Sequence, residues 1–231
     1  MMLTELLPQV LPLALLGALF GLDVVSFPQA MFSRPIVSAT LAGALVGEPG
    51  RGLVAGVVLE LFALETLPFG ASRYPEWGSA GVVGGALYAL RTDANAGALA
   101  LSVCAALATA AVGGWSMVQH RRLIARWAAG MRQELTQGSV NAVNALQLRG
   151  LTADFVRGGV LTAVALLVLV PLSRAVLGIW TTDASPSRAV VVTLAGAVAA
   201  AAMWKVTHTT KGAPWFLLGG LAVGASLLMV T

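Results

Sequence analysis

The sequence predicts an all-α polytopic membrane protein with about five full transmembrane helices plus broken or re-entrant helices. Two observations predict this class. Of the 231 residues, 58% are apolar and only 10% are charged, whereas a soluble domain carries about 25% charged residues. Long uncharged runs also recur, each close to the roughly 20 apolar residues that cross a bilayer as a helix. Soluble enzymes, disordered chains and fibrous proteins fit this composition poorly.

Five uncharged runs are expected to form the full spans. The first begins after Glu5 and lacks the basic start and cleavage site of a secretory signal, so it is interpreted as a retained span. The five runs are Leu6–Leu22, Ala94–His120, Gly158–Ser173, Ala189–Trp204 and Gly212–Thr231.

The region 28–92 is apolar but is divided into short pieces. Pro35–Gly47, Gly52–Leu59 and Trp77–Leu90 contain thirteen, eight and fourteen uncharged residues. A helix of thirteen residues reaches only about 20 Å, which is too short to cross the bilayer. Apolar segments interrupted by Gly and Pro indicate the binding site of a transporter. We therefore expect broken or re-entrant helices and a binding site here.

The basic residues are clustered in one place. The net charge is +4, yet four of the fourteen basic residues fall within twelve positions and the rest are scattered. Such a cluster is typical of a cytoplasmic loop in a membrane protein, so we expect a cytoplasmic polar segment at 119–150 and no nucleic-acid partner. The four are Arg121, Arg122, Arg126 and Arg132.

Within this polar segment, apolar residues recur every four positions. They are Leu123, Trp127, Met131 and Leu135. The spacing favours an amphipathic helix lying on the membrane surface. A solvated connector between two spans is an equally good interpretation.

Charged residues inside apolar sequence are costly, so each is a candidate functional residue. Glu60 is the strongest, because it follows GLVAGVVL and precedes LFAL. We expect it to accept hydrogen bonds from a ligand; alternatively, it pairs with Arg34 or Arg51 and holds two segments together. Arg34 precedes Pro35, which favours a helix start at this point.

The motifs of soluble enzymes are absent. The sequence has no GK[ST] phosphate loop, no GxSxG and no HExxH. The single cysteine, Cys104, allows no disulfide or cysteine-based metal site within one chain. His120 and His208 lie near the ends of spans, where an interfacial position explains them better than phosphoryl acceptance. We expect no catalytic residue, metal or cofactor.

Several ordered motifs resemble a known family. They include Asp23, QAMFSRP at 29–35, LELFAL at 59–64 and PFGA at 68–71, followed by QLRGLTADFVRG at 147–158 and APWFLLG at 213–219. Together they resemble the membrane subunit IIC of the mannose/fructose/sorbose class of the phosphotransferase system (PTS). The likeness covers most of the chain and is densest between residues 23 and 80.

The resemblance implies one integral membrane IIC domain over residues 1–231, in the inner membrane of a bacterium, that conducts sugar together with a second membrane subunit, IID. Phosphorylation would fall to soluble IIA and IIB subunits, so the chain itself would not be an enzyme. An oligomer is expected. The residues expected to bind sugar or support its path are Asp23, Gln29, Arg34, Glu60, Glu65, Gly70 and Glu76.

The turn after PFGA departs from the family pattern. SRYPEW places Arg73 and Glu76 where the family often has a small apolar stretch and an Asp. Two other functions therefore stay open. One is an ion-coupled transporter of small solutes in which Glu60 and Glu65 bind the ion. The other is a non-transporting regulatory subunit that docks soluble PTS components through its arginines.

Overall fold

The computed structural model describes residues 3–65, 74–92 and 95–179, together with residues 212, 215, 218, 219 and 222. These parts of the chain contain α-helices and no strand, in agreement with the predicted class. The helices are α1 (Leu3–Val25), α2 (Pro35–Leu45), α3 (Pro49–Glu65), α4 (Trp77–Ala89), α5 (Ala96–Gly130), α6 (Arg132–Thr136) and α7 (Val140–Ile179).

Three predicted spans lie within α1, α5 and α7. Helices α5 and α7 have 35 and 40 residues, so each is longer than the roughly 30 Å hydrocarbon core at about 1.5 Å per residue. By length and composition, Ala96–Gly130 and Val140–Gly178 qualify as membrane spans. The predicted spans at 189–204 and 212–231 lie outside the continuously described ranges.

The described residues of the broken region form three short helices, as predicted. Helix α2 has Pro35 in its first turn and ends at Leu45. The chain then reverses through Gly47, whose φ is +86°, a value that glycine adopts without a steric penalty. Helix α3 follows from Pro49 and packs against α2. It is longer than the uncharged run 52–59, because it includes Arg51 and Glu60.

Helix α4 is the centre of the fold. Every residue from Gly78 to Ala89 is buried, and α4 contacts α1, α2, α3, α5 and α7. Its glycines permit this crowding. A Cβ at Gly85 would lie 2.4 Å from the carbonyl oxygen of Ala39 in α2, which is closer than any side chain tolerates.

Small residues also bring the other helices together. A Cβ at Gly17 would lie 2.0 Å from Oγ1 of Thr162, so α1 and α7 meet here. A Cβ at Gly52 would lie 2.4 Å from the carbonyl oxygen of Ala39, so α2 and α3 meet backbone to backbone. These contacts agree with the general role of small residues between membrane helices.

The polar segment 119–150 is a helical hairpin. It comprises the end of α5, the short α6 and the start of α7. Trp127 lines a groove with Leu148 and Ala153 of α7, and Met131 Sδ lies 3.9 Å from Arg149 Nη1. Two residues of the apolar stripe, Trp127 and Met131, therefore lie against α7. This differs from both sequence interpretations, because α5 and α7 continue past their apolar stretches and cover each other.

Candidate functional site

A loop of nine residues, 26–34, connects α1 to α2, and we call it the site loop. Asp23, near the end of α1, organises its second half. Its Oδ1 accepts a hydrogen bond from the amide of Ala30 at 2.7 Å, and its Oδ2 accepts one from the amide of Ser33 at 2.8 Å. Asp23 is buried. Because both of its oxygens hold backbone amides, Asp23 supports the loop and has no exposed face for a ligand.

Two residues of the site loop have left-handed backbone conformations. Gln29 has a φ of +58° and Met31 a φ of +64°, values that are uncommon for residues other than glycine. Both side chains are exposed. Such a conformation persists only where surrounding contacts impose it, and the hydrogen bonds from Ala30 and Ser33 to Asp23 are contacts of this kind.

Arg34 ends the site loop and Glu60 faces it from α3. Arg34 Nε donates to Glu60 Oε1 at 2.7 Å, and Arg34 Nη2 also contacts Oε1. The other oxygen, Oε2, accepts from the amide of Ile36 at 3.2 Å. This amide belongs to the first turn of α2, where backbone donors lack helical partners and the helix dipole favours an anion. Glu60 therefore joins α3 to the start of α2.

The pairing of Glu60 with Arg34 is thus present, as one sequence interpretation predicted. Arg51, the other proposed partner, instead lies 3.6 Å from Glu48 Oε2 and donates to the carbonyl of Arg91. The Arg34 and Glu60 side chains keep 24% and 18% of their surface exposed. A guanidinium offers only donors and a carboxylate only acceptors. A hydroxyl-rich ligand can bind both.

Glu76 takes a different position from the one expected of a binding residue. It is fully buried and caps α4, since Oε1 accepts from the amide of Ser79 at 3.1 Å. Its own amide donates to the carbonyl of Ala110 in α5 at 3.0 Å. Glu76 therefore fixes the start of α4. Of the remaining predicted residues, Glu65 is the last residue of α3 and Gly70 lies outside the described residues.

A second polar cluster, which sequence reasoning missed, lies between α1, α5 and α7. Asp154 of α7 has no exposed surface. Its Oδ1 accepts from Arg157 Nε at 2.8 Å, and its Oδ2 accepts from the hydroxyl of Ser26 at 2.6 Å. Arg157 Nη1 also donates to Ser116 Oγ of α5 at 3.2 Å.

The cluster changes the interpretation of His120. This residue is buried, and its Nε2 lies 4.0 Å from Asp154 Oδ1, so its side chain faces the cluster between the helices. The sequence contains one signal for this cluster. Asp154 and Arg157 are three positions apart in α7, so they share a helix face. Both also stand in the QLRGLTADFVRG motif.

Neither cluster resembles a metal centre. Within the described ranges, no three His, Cys, Asp or Glu side chains are grouped closely enough to hold a metal ion. The exposed cluster combines one cation and one anion, and the buried cluster neutralises its acid with Arg157. Both are arranged for hydrogen bonding.

Comparison with solved structures supports the fold. One protein, described only as a membrane protein, matches with a TM-score of 0.74 and 18% identity, covering 96% of this chain and 93% of its own. The mannose transporter ManYZ, solved in complex with microcin E492, matches with a TM-score of 0.60 and 17% identity, covering 94% of this chain and 86% of its own. The multi-pass helical membrane fold is therefore shared.

Comparison of sequences identifies the family. The fructose permease IIC component of Bacillus subtilis (strain 168) is 24% identical over 170 residues, which cover 74% of this chain and 61% of that protein. The chain thus aligns with somewhat under two thirds of that relative. The family model described as the PTS system sorbose-specific IIC component matches residues 7–230. Because this match spans nearly the whole chain, the protein belongs to the sorbose-specific IIC family of the phosphotransferase system.

Proposed function

We propose that this chain is the sugar-translocating IIC subunit of a mannose/fructose/sorbose-type PTS permease in the bacterial inner membrane. The observation that carries the proposal is the family match over residues 7–230. Sugar crosses through this subunit together with IID. The soluble subunits IIA and IIB carry out phosphoryl transfer, so this chain acts in transport and not in catalysis.

The Arg34–Glu60 pair and Gln29 are the proposed sugar contacts. A sugar presents hydroxyl groups that both donate and accept hydrogen bonds. Glu60 can accept from them, Arg34 can donate to them, and the carboxamide of Gln29 can do both. The partial exposure of the ion pair supports this assignment, because a sealed pair would offer a ligand no free surface.

Four further residues have supporting roles in the proposal. Asp23 shapes the site loop and Glu76 fixes the start of α4. Glu65 and Gly70 follow the apolar stretch that contains Glu60, and they are assigned to the site because they are close to it in sequence. In this proposal the 119–150 hairpin is cytoplasmic; its clustered arginines support that orientation by the positive-inside rule.

Sugar uptake in cells that also express IIA, IIB and IID tests the proposal. Glu60→Gln keeps the shape of the side chain but removes its charge, and we expect it to lower uptake at least about tenfold. Glu48→Gln is the matched control, because Glu48 is an exposed acid in the turn between α2 and α3. Normal uptake by Glu60→Gln at equal expression would contradict the site.

The energy source separates this function from an ion-coupled carrier. Uptake should depend on phosphoenolpyruvate and persist when ion gradients are dissipated; the reverse would favour the ion-coupled carrier. Both oxygens of Glu60 already accept hydrogen bonds, one from a guanidinium and one from a backbone amide. A free cation would have to replace these donors. A regulatory subunit would instead take up no sugar. It would lose its soluble partners when the four clustered arginines are neutralised together: Arg121, Arg122, Arg126 and Arg132.

A further inference from the structure

We infer that Asp154 is a positioning residue for the Arg34–Glu60 site and acts through Ser26. The inference rests on the proposed function, because it concerns the site at which sugar is expected to bind. Asp154 lies in α7, 128 positions from Ser26 in sequence. Ser26 is the first residue of the site loop and Arg34 is the last.

Both carboxylate oxygens of Asp154 accept hydrogen bonds, as a positioning role requires. A buried carboxylate is costly unless it is paired and each of its oxygens has a donor. Arg157 supplies the opposite charge to Oδ1. The second oxygen, Oδ2, accepts the hydroxyl of Ser26 at 2.6 Å, a distance typical of a hydrogen bond to an ionised acceptor.

The site loop needs contacts of this kind. Its positive-φ residues, Gln29 and Met31, favour other conformations when they are unrestrained. Asp23 holds the second half of the loop through Ala30 and Ser33. The Ser26–Asp154 hydrogen bond fixes the beginning of the loop against α7. The loop is therefore held at both ends by carboxylates from different helices.

The same cluster extends to α5. Arg157 Nη1 donates to Ser116 Oγ, and His120 lies beside Asp154. On the α1 side, a Cβ added at Gly21 would lie 3.1 Å from Gly158 Cα, so α1 and α7 approach each other closely beside the cluster. The cluster thus joins Ser26 and the site loop to both α5 and α7.

Backbone amide exchange tests the structural part of the inference without any sugar. It is measured on the full-length chain in lipid nanodiscs, in peptides that contain the amides of Ala30 and Ser33. Ser26→Ala should accelerate their exchange about tenfold, because a hydrogen bond to a charged acceptor is lost and local opening becomes easier. Ser26→Thr retains the hydroxyl and should restore slow exchange.

Ser116→Ala is the matched control for this measurement. It removes a hydrogen bond of similar kind from the same cluster but leaves the Ser26–Asp154 contact intact. Exchange in the site loop should therefore stay as in the wild type. Unchanged exchange in Ser26→Ala, or equal acceleration in both variants, would overturn the inference.

Uptake kinetics test whether the positioning matters for sugar. Ser26→Ala should raise KM about fivefold with the maximal rate nearly unchanged, since a displaced loop weakens binding, and Ser26→Thr should restore KM. Faster loop exchange with an unchanged KM would overturn the link to the site. If the wild type takes up no sugar, the proposed function fails, whereas the exchange experiment still decides whether Asp154 holds the loop.

Discussion

Two ion pairs in this protein have similar chemistry and different surroundings. Arg34 and Glu60 connect the site loop to α3 and keep 24% and 18% of their side-chain surface exposed. Asp154 and Arg157 lie on one face of α7 with 0% and 9% exposed. The first pair therefore keeps free surface, which the proposed sugar contact requires, whereas the second is enclosed by the helices that it connects.

The difference in exposure also predicts that the two pairs contribute unequally to the free energy of unfolding. A buried carboxylate has lost its water and depends fully on its partners, so removing one partner is expensive. A partly exposed pair is still solvated, and its loss costs little stability. For sugar uptake we expect the reverse order, because the exposed pair is the proposed sugar contact.

Asp154→Ala should be the most destabilising change, by about 3–5 kcal/mol, because it leaves Arg157 buried and without its counter-charge. Thermal unfolding of the purified protein in detergent measures the effect. The double variant Asp154→Leu with Arg157→Met removes both charges and should recover much of the loss. If Asp154→Ala were as stable as the wild type, the buried pair would not contribute more to stability than the exposed pair.

Gly52→Ala should cost about 1–3 kcal/mol, because the new Cβ would lie 2.4 Å from the Ala39 carbonyl oxygen and would push α3 away from α2. Gly50→Ala is the control, two positions earlier in α3, since a Cβ there meets nothing within 4 Å. Thermal unfolding of both variants provides the measurement. Equal stabilities would mean that close contact of α2 and α3 does not set the Arg34–Glu60 geometry.

Glu60→Gln should cost only about 1 kcal/mol, because the partly exposed pair is solvated and the amide oxygen can still accept from Ile36. Its effect on uptake should nevertheless exceed its effect on folding. Unfolding and uptake measured on the same preparations compare the two. A loss of stability as large as that of Asp154→Ala would assign Glu60 a structural role like that of the buried acid.

Glu48→Gln should have the smallest effect, below about 0.5 kcal/mol, because Glu48 and Arg51 form an exposed pair at 3.6 Å. Salt provides a second measurement. The small difference from wild type should vanish at high ionic strength, because exposed charges are screened. A difference that persists at high ionic strength would show that exposure does not determine how much each of the three ion pairs contributes to stability.

Sequence reasoning found one pair and missed the other for a physical reason. Glu60 and Arg34 interrupt short apolar segments, so their charges stand out in the region where proline and glycine break the helices. Asp154 and Arg157 lie at the polar beginning of a continuous span, where charge is ordinary. Their burial depends on α1 and α5 packing over them, and Ser26 is 128 positions distant.

The residues around the site show the same division. The helix start at Pro35 and the short length of α2 follow from proline geometry and the local apolar pattern. The roles of Asp23 and Glu76 do not, since a carboxylate that binds a ligand and one that caps backbone amides look alike in sequence. Only the fold shows that both are buried against amides.

By itself, the sequence determined the membrane class, the division between long and broken helices and the family motifs, because scarcity of charge, proline placement and glycine spacing are local properties of the chain. The tertiary structure alone decided which acids are sealed and which remain accessible. Burial is set by helices that meet from distant parts of the sequence, as α1, α5 and α7 do around Asp154.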